Sequence, residues 1–402
     1  MSKIAGVGVL DDAELVRQKQ QQAIKALEDH GIDAWLVFVR EGAEQILTSL
    51  ITGVEYIVQN AAFILTADGQ RIAILEPIDI QNGAGTFYDK VISYNYDIAK
   101  PLRQIIRQLA PKEVALNFSH FEYAADGLSH GMYLRLIDAL EDLGFSEKVV
   151  SAKDVIVELR AVKTPQERER LRKAADISVQ IHKEMTEMIE PNVKDSELVR
   201  FVETRAVELG ANAAHTSLAI NPLGSNRKGI RNKLVNAGET IVSDMVVLYK
   251  GYSSDIKWLW FVTDKNHKIP EKLIRQWEAC RASLEVAQRA LRPGRPGYEV
   301  HEEAWTVLEE YGFPRDKHSY GHQVGHGAHD AGPWLGEREN PYRPSEGVLT
   351  NGMIVTLDPT INRVGTPDPT CYCMGIEVMA EVTDDGGVLL HEDQKEIWTV
   401  RF

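Results

Sequence analysis

Apolar residues recur at helical spacing across residues 11–31, with Leu15, Ala23 and Leu27 on one stripe. They then close up into the unbroken run Ala34-Trp-Leu-Val-Phe-Val39. The stripe predicts an amphipathic helix, and the run predicts a strand covered on both faces. Two further strands are expected at residues 61–65 and 71–75, joined by the hairpin turn signal Ala67-Asp-Gly-Gln70. Helical and strand signals alternate over residues 101–144. The first part of the chain therefore reads as an α/β domain.

A new domain is signalled near residue 160. In Lys163-Thr164-Pro165-Gln166-Glu167, Thr164 fits an N-cap, Pro165 the first helical position and Glu167 the third, which together make a capping box. The helix it opens is expected over residues 166–189, with the charged run Glu167-Arg168-Glu169-Arg170 on solvent. Asp195 or Ser196 is expected to cap a second helix that runs through Glu208 and stops at Gly210. A third is expected over residues 270–291. No short repeat or low-complexity segment interrupts the pattern.

Between and beyond these helices lie apolar runs that each carry one acid. Asp244 sits in Ile241-Val-Ser-Asp-Met-Val-Val-Leu-Tyr249, and Asp255 stands where the turn Lys250-Gly-Tyr-Ser-Ser254 enters the run 256–262. Asp358 ends the run 353–358 before Pro359, and Glu377 lies inside the run 375–380. Burying a lone carboxylate costs several kcal/mol unless it is paired or binds a cation. Four such acids therefore point to a shared cation site. The segment His318-Ser-Tyr-Gly-His322-Gln-Val-Gly-His326-Gly-Ala-His329-Asp330 adds four of the chain's 12 histidines, laced with glycines that let backbone approach a ligand.

These motifs, in this order, resemble the creatinase/prolidase/aminopeptidase P superfamily, peptidase family M24. The paired aspartates match Asp244 and Asp255. The histidine motif falls on His318, Gly321, His322, Gly325, His329 and Asp330, leaving His326 as an extra. The two closing motifs fall on Gly352-Met353 to Asp358-Pro359 and on Gly375-Ile376-Glu377. The resemblance implies an α/β N-terminal domain, residues 1–160, and an α+β pita-bread catalytic domain, residues 161–402. It also implies a homodimer and a dinuclear metal-dependent hydrolase that cleaves an amide or peptide C–N bond with a metal-bridged hydroxide, in the manner of an Xaa-Pro peptidase.

The implied metal ligands are Asp244, Asp255, His322, Asp358 and Glu377, with Asp255 and Glu377 bridging. Four carboxylates and one neutral imidazole balance two divalent cations. An oxygen-rich set with one nitrogen favours Mn²⁺ over Co²⁺, Zn²⁺ or Fe²⁺. His318 and His329 are implied to stabilise the oxyanion and leaving group, and Asp358 to contact the attacking water. His215, Arg227, Arg231 and His326 are candidate substrate contacts.

Three departures bear on the substrate. Asp358 replaces a glutamate, which withdraws the carboxylate by about 1.5 Å, one carbon–carbon bond. Gly375 stands where Xaa-Pro peptidases carry an arginine, and the segment 221–233 lacks their Pro-His pair. These changes predict a compact, anionic C–N substrate met by Arg227 or Arg231, with Xaa-Pro peptides cleaved poorly. The alternative is a family member turned to a small metabolite, either a creatinase- or ectoine-hydrolase-like enzyme or a metal-dependent lyase.

Composition narrows the partners. A net charge of −14 disfavours nucleic acid. No apolar run approaches membrane-spanning length, and residues 1–10 are too short and glycine-rich for a signal peptide core. Three cysteines form no disulfide framework, so the cytoplasm is the expected compartment.

Overall fold

The computed structural model describes residues 13–42, 46–54, 56–225, 232–315, 318–340, 344–362 and 368–402. Arg227 and Arg231 lie outside the described residues. The chain divides into two compact units, Met1–Arg160 and Ala161–Phe402.

In the first unit, strands β1 (Ala34–Val39), β2 (Ala61–Thr66), β3 (Arg71–Leu75), β4 (Lys90–Ser93), β5 (Val114–Leu116) and β6 (Val149–Ser151) form one sheet in the order β4-β3-β2-β1-β5-β6. The β2–β3 hairpin is antiparallel, and β4, β5 and β6 join in parallel. Every residue of β1 is buried because alternate side chains enter different cores. Trp35, Val37 and Val39 join one apolar cluster; Ala34, Leu36 and Phe38 join the other. The helices of this unit are α1 (Ala13–His30), α2 (Ile46–Thr52), α3 (Pro77–Gln81), α4 (Ala99–Leu109), α5 (His130–Ala139) and, reaching the boundary, α6 (Lys153–Ala161).

The second unit opens with α7 (Pro165–Met188), α8 (Asp195–Glu208) and β7 (Ala213–Asn221). Strands β8 (Thr240–Tyr249), β9 (Tyr252–Ser253) and β10 (Ile256–Thr263) follow, then helices α9 (Glu271–Ala290) and α10 (Gly297–Glu310). Strands β11 (Ile354–Leu357), β12 (Thr360–Ile361), β13 (Met374–Gly375), β14 (Val378–Thr383), β15 (Gly386–Leu389) and β16 (Trp398–Arg401) complete it. The main sheet runs β16-β10-β8-β7, with β9 on β8; β11-β14-β15 and β12-β13 form smaller sheets. One apolar cluster joins α9 and α10 to the strands, with Trp277, Leu284 and Trp305 against Leu259, Val355 and Val378.

The Thr164–Glu167 capping box forms at the start of α7. Its charged run is less solvated than expected. Glu167 and Arg170 are buried, because Glu167 accepts from the Tyr252 hydroxyl and Arg170 donates to the Lys250 carbonyl. Neither Asp195 nor Ser196 caps α8. The Asp195 carboxylate instead accepts from the Lys233 N–H, and Glu197 closes the helix start by accepting from the Lys194 N–H.

Candidate active site

Strand pairing puts the acids on one face. Ser217 lies opposite Asp244, Asp244 opposite Lys257, and Lys257 opposite Glu377, so one cross-strand row runs from β7 through β8 and β10 to the link between β13 and β14. His215 pairs with Val246 two residues along, on the same face. Asp255 immediately precedes β10, two residues from Lys257, and so shares that face as well.

The histidine segment, read as a loop, is hydrogen-bonded alongside β11. The N–H groups of Val324, Thr356 and Asp358 donate to the carbonyls of Ile354, His322 and Tyr320 at 2.9, 2.8 and 2.8 Å. This ladder places His322 and Asp358 against the acid-bearing row. Gly321 is needed for it, because a Cβ there would overlap the Thr356 carbonyl oxygen.

The resulting cavity, about 370 Å³, is lined by His215, Asp244, Asp255, His318, His322, His329, Asp358 and Glu377, with Trp334 as an aromatic wall. Nε2 of His322 lies 3.7 Å from Asp255 Oδ2 and 3.8 Å from Glu377 Oε1. A cation about 2.1 Å from each donor holds its neighbouring ligand atoms roughly 3 to 4 Å apart, so this arrangement fits a divalent ion. His329 packs edge-on to His322, ring centroids 4.3 Å apart, and its ring reaches the same point as Asp255 and His322. It can thus serve as a ligand, a role not expected from the sequence.

His322 lies close enough to the Gln323 carbonyl (Nδ1···O 3.1 Å) to place its proton on Nδ1 and leave the Nε2 lone pair facing the acids. Burial, helped by His329, lowers the His322 pKa to about 3, so the imidazole is a neutral donor. Burial, then the neighbouring Asp358 carboxylate, pushes Glu377 up to about 7. Burial, with Glu377 and Asp244 nearby, raises Asp255 well above the ordinary carboxylate range. Acids held this way lose their protons to a bound cation.

A second grouping, Asp244, Asp255 and Glu377, also converges closely enough to frame a cation. Here the fit fails. The fully buried Lys257 side chain donates through Nζ to Asp358 Oδ1 at 2.6 Å and Glu377 Oε2 at 2.8 Å, and lies 3.8 Å from Asp244 Oδ2. Asp358 Oδ1 also accepts from Thr360 Oγ1 at 2.7 Å, while its Oδ2 faces His318 Nε2 at 3.9 Å. Neither Lys257 nor Thr360 was singled out in the sequence. The signal for Lys257 was present: a lysine two residues after Asp255 in an otherwise apolar strand must share its face and be buried.

His326 is not brought to the cavity. Its ring packs on Tyr252, centroids 4.3 Å apart, and its N–H donates to the buried Asp330 carboxylate, so the segment turns it away from the acids.

A family model for Metallopeptidase family M24 matches residues 169–384. The chain belongs to metallopeptidase family M24. The Xaa-Pro dipeptidase of Pyrococcus furiosus is 30% identical over 251 residues, covering 61% of this chain and 67% of that protein. Its Pyrococcus horikoshii counterpart is 27% identical over 278 residues, covering 67% and 74%. The crystal structure of an X-Pro aminopeptidase from Thermotoga maritima superposes with a TM-score of 0.75 at 20% identity, over 93% of this chain and 99% of that one. The M24 chain thus has the pita-bread fold and is a hydrolytic enzyme of a metal-dependent peptidase family. Among the described residues, no helix is long and apolar enough to cross a membrane.

Proposed function

We propose that this M24 enzyme hydrolyses short peptides, with Xaa-Pro dipeptides the first substrates to test. The observation that supports this most is the convergence of Asp255, His322, His329 and Glu377 beside Asp358 in one cavity of peptide-accommodating size. Asp255, His322 and Glu377 would hold a divalent cation, Mn²⁺ by preference for an oxygen-rich set. When bound, that cation supplies Lewis acidity, which lowers the pKa of a water and polarises the scissile carbonyl. Asp358 Oδ2 faces the cavity to take the proton of the attacking water. His329 would donate to the leaving nitrogen, His318 is held at the cavity wall with Nε2 3.2 Å from the Asp358 carbonyl, and Trp334 would pack against the substrate.

The expectation of a compact non-peptide substrate is not favoured by the relatives, and two of its grounds weaken in the structure. Lys257 brings a cation beside Gly375, its Cδ 3.2 Å from where a Cβ would stand. His215 lines the cavity from β7 and offers it an imidazole although the Pro-His pair is absent from the sequence. The reading extends to a reducing compartment such as the cytoplasm, supported by three unbridged cysteines, and to a homodimer, carried by the family alone and checked by sedimentation.

The test is turnover of an Xaa-Pro dipeptide panel after chelation and Mn²⁺ reloading. A kcat/KM near or above about 10⁴ M⁻¹s⁻¹, lost on chelation, is expected. Metal-loaded protein that leaves Xaa-Pro dipeptides and other short peptides intact would remove the peptidase reading.

A further inference from the structure

Glu377 turns its two oxygens in different directions: Oε1 faces His322 Nε2 at 3.8 Å, and Oε2 accepts from Lys257 Nζ at 2.8 Å. A carboxylate placed to bridge two metal ions here bridges a metal-ligand side and an ammonium. We propose that the Lys257 ammonium fills one of the two cation places of this centre. The protein then binds one divalent ion, at Asp255, His322 and Glu377 with His329 in reach, and none in the frame of Asp244, Asp255 and Glu377. The inference rests on the metal-dependent peptidase reading, but its readout is metal content.

Space, charge and backbone all support this. Paired metals sit about 3.5 Å apart and share carboxylate oxygens between them. Asp358 Oδ1 and Glu377 Oε2 already accept from Lys257, and Asp358 Oδ1 from Thr360 as well. A second metal would stand against a buried like charge, where water screens little. Four carboxylates with one divalent ion and one ammonium carry a single net negative charge. So do the same carboxylates with two divalent ions and a bridging hydroxide.

Lys257 is held at both ends, its ammonium by Asp358 and Glu377 and its backbone by Glu377. Its N–H donates to the Glu377 carbonyl at 3.2 Å, and its carbonyl accepts from the Glu377 N–H at 3.1 Å, fixing the residue inside the sheet. Two departures noted in the sequence fit around it. A Cβ at Gly375 would crowd Lys257 Cδ and overlap Thr360 Oγ1, so glycine leaves the stem its room. Asp358, one methylene shorter than glutamate, draws its carboxylate back by about 1.5 Å, which leaves space for the ammonium head. Lysine, glycine and the shorter acid form one matched set.

The experiment is metal stoichiometry of the full chain, stripped with chelator and titrated with Mn²⁺. Bound ion is counted by native mass spectrometry and elemental analysis, and the Mn²⁺ spin resonance spectrum is recorded alongside. One ion per wild-type chain is expected, with the spectrum of an isolated Mn²⁺ ion. Lys257→Ala opens the second place and raises the count to two with a spin-coupled spectrum; Lys257→Arg keeps it at one. Two ions in the wild-type chain would overturn the inference and leave the peptidase reading standing, with Lys257 as a relocated guanidinium substitute. No bound ion would overturn both. A folded Lys257→Ala chain that still takes one ion also counts against it, and if that variant does not fold, the wild-type count decides.

Discussion

His322 and His326 are four residues apart, yet they differ in what they can bind. The ladder on β11 aims His322 Nε2 at Asp255 and Glu377, whereas His326 packs on Tyr252. His322→Ala is therefore expected to weaken Mn²⁺ binding by more than the roughly 10–100-fold that an outer partner costs, and His326→Ala to leave it nearly unchanged. Equal losses measured by calorimetric titration would show that the wrong histidine has been assigned. Asp255 faces both groupings of ligands, so Asp255→Asn is expected to remove both bound metal and peptidase activity. Retention of stoichiometric metal in that variant, by elemental analysis, would move the ion away from Asp255.

At the scale of elements, the site depends on strands and near-strands that lie edge to edge. The histidine segment reaches the acids only because backbone bonds tie residues 320, 322 and 324 to residues 358, 356 and 354. Gly321→Ala forces a methyl against the Thr356 carbonyl oxygen in the middle of that ladder. Overpacking of this kind costs about 1–3 kcal/mol, which should lower Tm by several degrees in a chain of this size. It should also shift His322 and weaken Mn²⁺ binding. An unchanged melting curve with unchanged metal affinity would show that the ladder yields without loss. Residues 353–358 and 375–380 were legible as apolar runs around one acid, but the strands end at Leu357 and break at Ile376-Glu377, so these two acids sit just outside them. The pairing of the histidine segment was not legible, since glycines and histidines carry no strand signal of their own and the partner strand is distant in the chain.

At the scale of the whole molecule, stability should depend on pH through buried histidines. His182 on α7 stacks on Trp258 with ring centroids 5.1 Å apart and hydrogen-bonds through Nε2 with Ser243 Oγ at 3.1 Å. Burial, then the neighbouring His391, lowers its pKa to about 3, and burial lowers that of His301 to about 4. The unfolded chain binds protons at these histidines from about pH 6.5 downward, while the folded chain does not. Their stabilising contribution is thus complete above pH 6.5 and is lost as pH falls toward 4 and below. Glu377, pushed up to about 7, works in the opposite direction in the metal-free protein, so the comparison must be between variants. Tm of His182→Gln should fall less steeply than that of the wild type between pH 7 and 4.5, both measured with chelator present. Parallel curves would exclude His182 as a source of acid sensitivity.

The sequence by itself determined the family, through it the expectation of the pita-bread fold, and which acids and histidine are candidates for holding a metal. It could do so because each lies in a local pattern: an acid in an apolar run, or a histidine between glycines at fixed spacing. Tertiary structure decided what those residues meet. Cross-strand register set Lys257 between Asp244 and Glu377, and Lys257 shares its face with an acid only two residues away. Burial logic applied to the acids alone pointed to a shared cation site; once the lysine between them is buried on the same face, our proposal draws the positive charge from one metal ion and one side chain.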